Sequence, residues 1–317
     1  MAYQAYAQQE LEYEDPFLWG EQPDYSVIGP KDDRFEIPAR ARRPSSLLFP
    51  MTTICFLEAT APSGSTWTGS GTLIAPQVVL SAKHVLMDVS PPRGVRGRAF
   101  DPTLTVTSLR VTPGADLQSP ASKPKLQRPA VPGSQTATAA RIRVHPDLDF
   151  GVAILPAPFR KPSQFMMLQN RSDLNTATLL TIAGYPCDKP EGRQWGHSRR
   201  IELRNIGPAH MQYTIDTCPG HSGSPIWLLG GNNVRLLLGV HTSGDPAATP
   251  ESKCGNDPID RTCSPSGAPV TLVAGLNSGV RVTCEVIDTI DRWCRELRVR
   301  GPVVDRVRYR RSCPARA

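Results

Sequence analysis

From about residue 48 onward, short apolar runs alternate with clusters of turn residues. Runs rich in Val, Ile, Leu and Thr occupy 51–56, 71–74, 78–81, 151–155 and 178–183. The pattern continues at 211–215, 226–229, 234–240 and 270–276. Branched side chains in runs this short, bounded by Gly, Pro, Asn and Ser, predict β-strands. Residues 87–140 break the rhythm. They are dense in Pro, Ser, Thr and Arg and predict long loops with a few interspersed strands. Near the end the period changes: Val286, Ile287, Ile290, Trp293, Cys294 and Leu297 recur at helical spacing and predict one amphipathic helix. Many short strands and one terminal helix predict an all-β protein of two barrels.

Composition agrees. With 317 residues the chain has room for two small domains sharing an interface. Its 32 prolines and 25 glycines disfavour a helical bundle. Apolar residues at 39% and charged residues at 21% exclude wholesale disorder. No run approaches the roughly 18 uninterrupted apolar residues of a membrane-spanning helix.

The net charge of +7 is unevenly spread. Residues 1–26 carry Glu10, Glu12, Glu14, Asp15, Glu21 and Asp24 and no Lys or Arg, so the rest of the chain is more basic than the total suggests. This acidic, aromatic leader is expected either to lie over a basic cleft or to be a solvated tail. The far end holds Arg306, Arg308, Arg310, Arg311 and Arg316 and reads as a solvated basic tail. Without interleaved base-stacking aromatics it is not expected to bind nucleic acid. The leader lacks a basic stretch followed by an apolar core, so no ordinary secretory signal is read there.

Eight cysteines without a C-x-x-C pair argue for disulfides and an oxidising, extracytoplasmic compartment rather than a zinc ribbon. Cys254 and Cys263 are the easiest local pair, and Cys284 and Cys294 sit too far apart on the predicted helix to bridge each other.

Three motifs carry chemistry. In Gly220-His221-Ser222-Gly223-Ser224-Pro225, a serine flanked by glycines at a tight turn can present its hydroxyl. The same turn can aim the N–H groups of Gly220 and Ser222 into one concavity, an oxyanion hole. Ser81-Ala82-Lys83-His84 follows an apolar strand and offers a base with a pKa near neutrality. Asp147-Leu148-Asp149 runs into the buried strand 151–155, where a carboxylate needs a partner. Either aspartate could orient the base; Asp149, which abuts the strand, is preferred. The order His84, Asp149, Ser222 is that of the chymotrypsin type.

With these residues the chain resembles trypsin-fold serine proteases of the glutamyl endopeptidase branch over roughly residues 26–300. The likeness includes Val27-Ile28-Gly29-Pro30-Lys31-Asp32-Asp33-Arg34, Gly184-Tyr185-Pro186-Cys187-Asp188-Lys189-Pro190, Trp195 and Met211-Gln212-Tyr213. The resemblance implies two antiparallel six-stranded barrels with a C-terminal helix. Residues 27–160 would form the barrel with His84 and Asp149, and residues 161–300 the barrel with Ser222. Residues 301–317 would be a basic tail. His84 would be the general base, Asp149 its orienting acid and Ser222 the nucleophile. Thr217 and His241 would line the primary pocket and receive a Glu or Asp side chain. Residues 1–26 would be a pro-segment whose removal frees Val27 to help bind that acidic group. A bridge from Cys218 to Cys254 would brace the pocket. His221 departs from the Asn or Gln usual at its place.

The expected activity is therefore endopeptidase chemistry through an acyl-enzyme on protein or peptide substrates, acidic ones preferred. No metal or organic cofactor, nucleic acid or membrane is expected to take part, and a monomer is expected. The rival readings are a non-catalytic trypsin-fold binding protein and a serine protease of different specificity.

Overall fold

The structure is a computed structural model. It describes residues 32–37, 49–87, 105–115, 133–171, 173–174, 178–200, 206–243 and 277–313. The predicted strand at 270–276 lies outside them, as do Val27, Cys254 and Cys263.

A short strand β1 (Phe35–Glu36) precedes the first sheet. That sheet contains β2 (Ile54–Thr60), β3 (Thr66–Ala75), β4 (Val78–Ser81), β5 (Ser108–Pro113), β6 (Gln135–Thr138), β7 (Ile142–Val144) and β8 (Gly151–Ile154). Its order is β6-β5-β2-β3-β4-β8-β7. A single helical turn, α1 (Lys83–Leu86), follows β4. The apolar run at 51–56 begins as a 3-10 turn, Met51–Thr53, before the strand starts. The loop-rich stretch 87–140 supplies β5 and β6, as its composition suggested.

The second sheet adds β9 (Met167–Leu168), β10 (Leu179–Gly184), β11 (Trp195–Arg200), β12 (His210–Tyr213), β13 (Pro225–Leu229), β14 (Arg235–Ser243) and β15 (Asn277–Arg281). Its order is β1-β11-β10-β13-β14-β15-β12, with β9 parallel to β14. The two sheets form the two-barrel, trypsin-like architecture. They count seven and eight strands rather than six each, because two-residue strands such as β1 and β9 join the edges.

Two expected boundaries shift. The strap 32–37 pairs with β11, so it lies on the second sheet and not the first. The arginine-rich end is also not a free tail. Leu168 N–H donates to Val303 O, and a helix α3 (Arg306–Ser312) is tied by a Cys284–Cys313 disulfide to the start of helix α2 (Cys284–Glu296). Arg306, Arg308, Arg310 and Arg311 remain exposed, while Tyr309 and Cys313 anchor the backbone.

Helix α2 is the predicted amphipathic helix. Thr283 caps it by accepting Val286 N–H, and Glu285 and Arg295 complement its two ends. Its buried face presents Val286, Ile287, Ile290 and Trp293. Trp293 packs on Phe150, with ring centroids 5.7 Å apart, so the helix braces the segment next to Asp149. One continuous core joins the first sheet to α2 and to Tyr185, Trp227, Leu237 and Val240 of the second. The Tyr185 hydroxyl reaches the carbonyls of Ile54 and Ala115, which satisfies its polar end at the junction.

Candidate active site

Register brings the first two motifs together. In the β4–β8 pairing Ser81 faces Gly151. His84 lies three residues beyond one strand and Asp149 two before the other, so both emerge at the same edge. His84 Nδ1 stands 2.7 Å from Asp149 Oδ2, and the His84 backbone N–H donates to Asp149 Oδ1 at 3.1 Å. Burial alone would raise the Asp149 carboxyl. The charge of His84 and both hydrogen bonds outweigh burial and hold it below its ordinary value of 3.8. Asp147 is exposed, and its backbone N–H donates to His145 Nδ1.

Ser70 of β3 links these residues to the serine turn. Its N–H donates to Ser222 O at 2.9 Å and its hydroxyl to Gly220 O at 2.7 Å. Its carbonyl accepts from Ser81 Oγ at 2.7 Å, on the strand leading to His84. Glycine is required around this knot. A Cβ on Gly184 would lie 2.0 Å from Ser224 Oγ and 2.6 Å from Ser70 Oγ. The strand expected from the sequence begins at residue 71, and Ser70 was left without a role. Its signal was the Gly69-Ser70-Gly71 triplet, where a small polar residue sits between two absent side chains.

The turn itself is built on left-handed glycines, Gly220 at φ 93° and Gly223 at φ 89°. The N–H groups of His221, Gly223 and Ser224 donate to Cys218 O, His241 O and His221 O. Among the described residues, the intervening N–H groups of Gly220 and Ser222 have no acceptor. Ser222 is almost fully buried.

His241 ends the apolar part of β14 and is bound to the same turn from both sides. It accepts Gly223 N–H at 2.8 Å and donates its own N–H to Ser224 O at 2.9 Å. Its ring faces the Tyr213 hydroxyl. Burial, then the charge of His84, pushes the imidazole down to about 3. Thr217 is half-buried between Asp216 and Cys218. Asp216 Oδ2 accepts Asp33 N–H at 3.1 Å, so the N-terminal strap is fastened beside Thr217. Arg34 adds a fork to Asp188, with Nη1–Oδ1 at 3.0 Å, and bonds Asp32 through Nε at 2.8 Å. Cys187 and Cys218 are each disulfide-bonded, while Cys55 and Cys294 are buried free thiols.

Asp33, His197 and Asp216 place one ligand-type atom each within 4.8 Å of one another. The His197 Nδ1 lone pair is already used, since it accepts Asp216 N–H at 3.0 Å. What the structure shows here is the Asp216 carboxylate fastening the strap through the Asp33 N–H.

A model of the trypsin-like peptidase domain matches residues 69–234, more than half of the chain. The chain belongs to the trypsin-like peptidase family. Two relatives of this peptidase are glutamyl endopeptidases. That of Bacillus licheniformis is 26% identical over 273 residues, 84% of this chain and 69% of the relative. That of Staphylococcus aureus strain MW2 is 26% identical over 225 residues, 70% of this chain and 58% of the relative. The peptidase thus spans little more than half of the staphylococcal protein's length. A solved structure of a Glu endopeptidase in complex with MPD superposes with TM-score 0.54 at 21% identity, over 83% of this chain and 96% of that one. It shares the fold. Together these findings make the protein a trypsin-fold serine endopeptidase related to glutamyl endopeptidases.

Proposed function

We propose that this peptidase works through an acyl-enzyme formed on Ser222 and prefers Glu, or Asp, before the scissile bond. The observation that carries the catalytic assignment is the 2.7 Å His84–Asp149 contact, joined through Ser70 to the Ser222 turn. Ser222 Oγ attacks the peptide carbonyl while His84 Nε2 takes its proton. Asp149 holds the imidazole by Nδ1 and stabilises its charged form. The developing oxyanion takes hydrogen bonds from Gly220 and Ser222 N–H. His84 then protonates the leaving amine, and water repeats the sequence on the ester.

Acidic specificity is supported by His241, bonded to the nucleophile turn, and by Thr217 just before it. The anchoring of residues 32–37 beside Thr217 supports a part for the N-terminal segment. On this reading, removal of the acidic leader frees residue 27 to help bind the acidic group. The Cys284–Cys313 bridge and the disulfides at Cys187 and Cys218 support an extracytoplasmic site of action. The substrates are acidic proteins or peptides, met by a basic monomer.

A fluorophosphonate probe followed by peptide mapping tests the nucleophile: label belongs on Ser222, and Ser222→Ala should lose roughly 10⁴-fold or more in kcat. Cleavage of a peptide library varied at the residue before the scissile bond tests specificity. Equal cleavage after Glu and after neutral residues would remove the acidic reading. N-terminal sequencing of active enzyme tests the leader, and an active chain still beginning at Met1 refutes its removal.

A further inference from the structure

The serine turn is closed by a side chain of its own. His221 N–H donates to Cys218 O at 2.9 Å, and Cys218 N–H donates back to His221 Nδ1 at 3.1 Å. The ring is 1% exposed. A nitrogen that accepts a hydrogen bond carries no proton, so the proton of the neutral ring sits on Nε2. The ring also bonds the backbone of Trp195. With Nδ1 engaged by Cys218 N–H, this contact falls to Nε2–H, which calls for a carbonyl acceptor. One imidazole thus spans from the turn to the first residue of β11.

The ring stays neutral in place. Burial first, then the charges of Arg34 and His241, keep it well below the ordinary 6.5. Arg34 is itself held by Asp32 and Asp188. A second proton on His221 would set Nδ1–H against Cys218 N–H, two donors facing each other.

We propose that His221 is a positioning residue for the oxyanion hole, its two-sided neutral imidazole holding the 218–221 turn so that the N–H groups of Gly220 and Ser222 converge on one oxygen. This rests on the reading of those two N–H groups given above. The ring touches neither the substrate nor the reacting atoms. It fixes the backbone between Cys218 and Ser222. Misaimed donors weaken the transition state more than the ground state, so the loss belongs in kcat.

The test compares the full-length wild-type enzyme with His221→Ala and His221→Gln. Glutamine keeps one acceptor and one donor, whereas alanine keeps neither. His221→Ala should lose roughly tenfold to a hundredfold in kcat with KM little changed, and His221→Gln should recover most of it. ¹⁵N NMR of histidine-labelled wild-type enzyme should report the Nε2–H tautomer for His221. Wild-type kcat in His221→Ala, equal losses in both variants, or an Nδ1–H tautomer would overturn the proposal. If His221→Ala does not fold, the glutamine variant and the tautomer decide. If Ser222→Ala turns over peptide normally, the nucleophile assignment fails and this proposal goes with it; an inert Ser222→Ala beside a fully active His221→Ala sinks the His221 role alone.

Discussion

The Tyr213 hydroxyl lies 2.6 Å from His241 Nδ1 and donates to Ser278 O at 3.1 Å. A phenol has one proton. Spent on Ser278 O, it leaves the Tyr213 oxygen as an acceptor, so Nδ1 must keep its hydrogen. A further bond of the ring to the Ser278 backbone also favours the protonated nitrogen. The neutral ring then has only a lone pair at Nε2, which repels a carboxylate. Because burial and His84 hold free His241 down at about 3, a Glu side chain must bring a proton with it. Binding the anion raises the His241 pKa in the complex, so the gain is complete only below the free value of about 3, declines between the free and bound values, and is gone above the bound one. The preference for Glu over Gln in kcat/KM should therefore fall with rising pH, by up to about tenfold per unit. Paired Glu and Gln peptides assayed across pH would show it. A constant ratio would mean that His241 binds Glu as a neutral donor.

Asp149 gives a sharper catalytic prediction. Asp149→Asn keeps the shape but can donate toward Nδ1 and thereby select the wrong tautomer of His84. A loss of about 10⁴ in kcat is expected, with little change in thermal midpoint. Paired measurement of turnover and melting separates this from simple misfolding. A variant within tenfold of wild type would mean that Asp149 does not serve His84.

These residues were unequally legible in the sequence. His84, Asp149 and Ser222 were readable as candidates because each flanks a strand whose apolar pattern stands alone. The β4–β8 register then required His84 and Asp149 to meet. Strand ends were less so: β3 extends to Thr66 through Gly69-Ser70-Gly71, where hydrophobicity gives no signal. The docking of α3 was not visible, since arginines exposed on a packed helix look the same as arginines on a free tail. The contact depends on Cys284 meeting Cys313 across 29 residues, and cysteine pairing is set by tertiary structure alone. The strap was misassigned for a similar reason. Its two-residue strand carries too short a pattern to name its partner.

Ser70 should behave as a joint between the two halves of the site. Ser70→Ala removes the bonds to Gly220 O and from Tyr185 N–H, at a cost of about 1–3 kcal/mol for buried groups left unpaired. A lower thermal midpoint and a moderate loss of kcat are expected together, because Gly220 sits in the proposed oxyanion turn. Destabilisation with unchanged kcat would show that Gly220 is held without Ser70.

The Cys284–Cys313 bridge predicts the opposite pairing of effects. It closes a segment that contains neither His84 nor Ser222. Its loss in Cys313→Ser should cost about 3–4 kcal/mol by loop-closure entropy. The thermal midpoint should fall while kcat at lower temperature stays near wild type. A large drop in kcat would indicate that α3 and α2 support Phe150 and Asp149 more directly than the Trp293 contact implies.

The strap offers the last test. Arg34 is buried and forks to Asp188 while also bonding Asp32, and Asp33 beside it donates to Asp216. Removing the guanidinium takes the close partner from the largely buried Asp188, while the exposed Asp32 keeps Lys189. The strap should loosen next to Thr217, so Arg34→Ala should raise KM for Glu peptides more than it lowers kcat. Lysine should not rescue it, because an ammonium cannot engage two carboxylates with a planar fork. The pH sense is also fixed. Burial alone would raise the Asp32 carboxyl, but Arg34 and Lys189 outweigh it and hold it well below 3.8. Its contribution is complete above 3.8 and is lost as pH falls through the lower, folded value, so strap release is an acid event. KM and melting measured on Arg34→Ala and Arg34→Lys across pH decide the matter, and an unchanged KM in both would detach the strap from substrate binding.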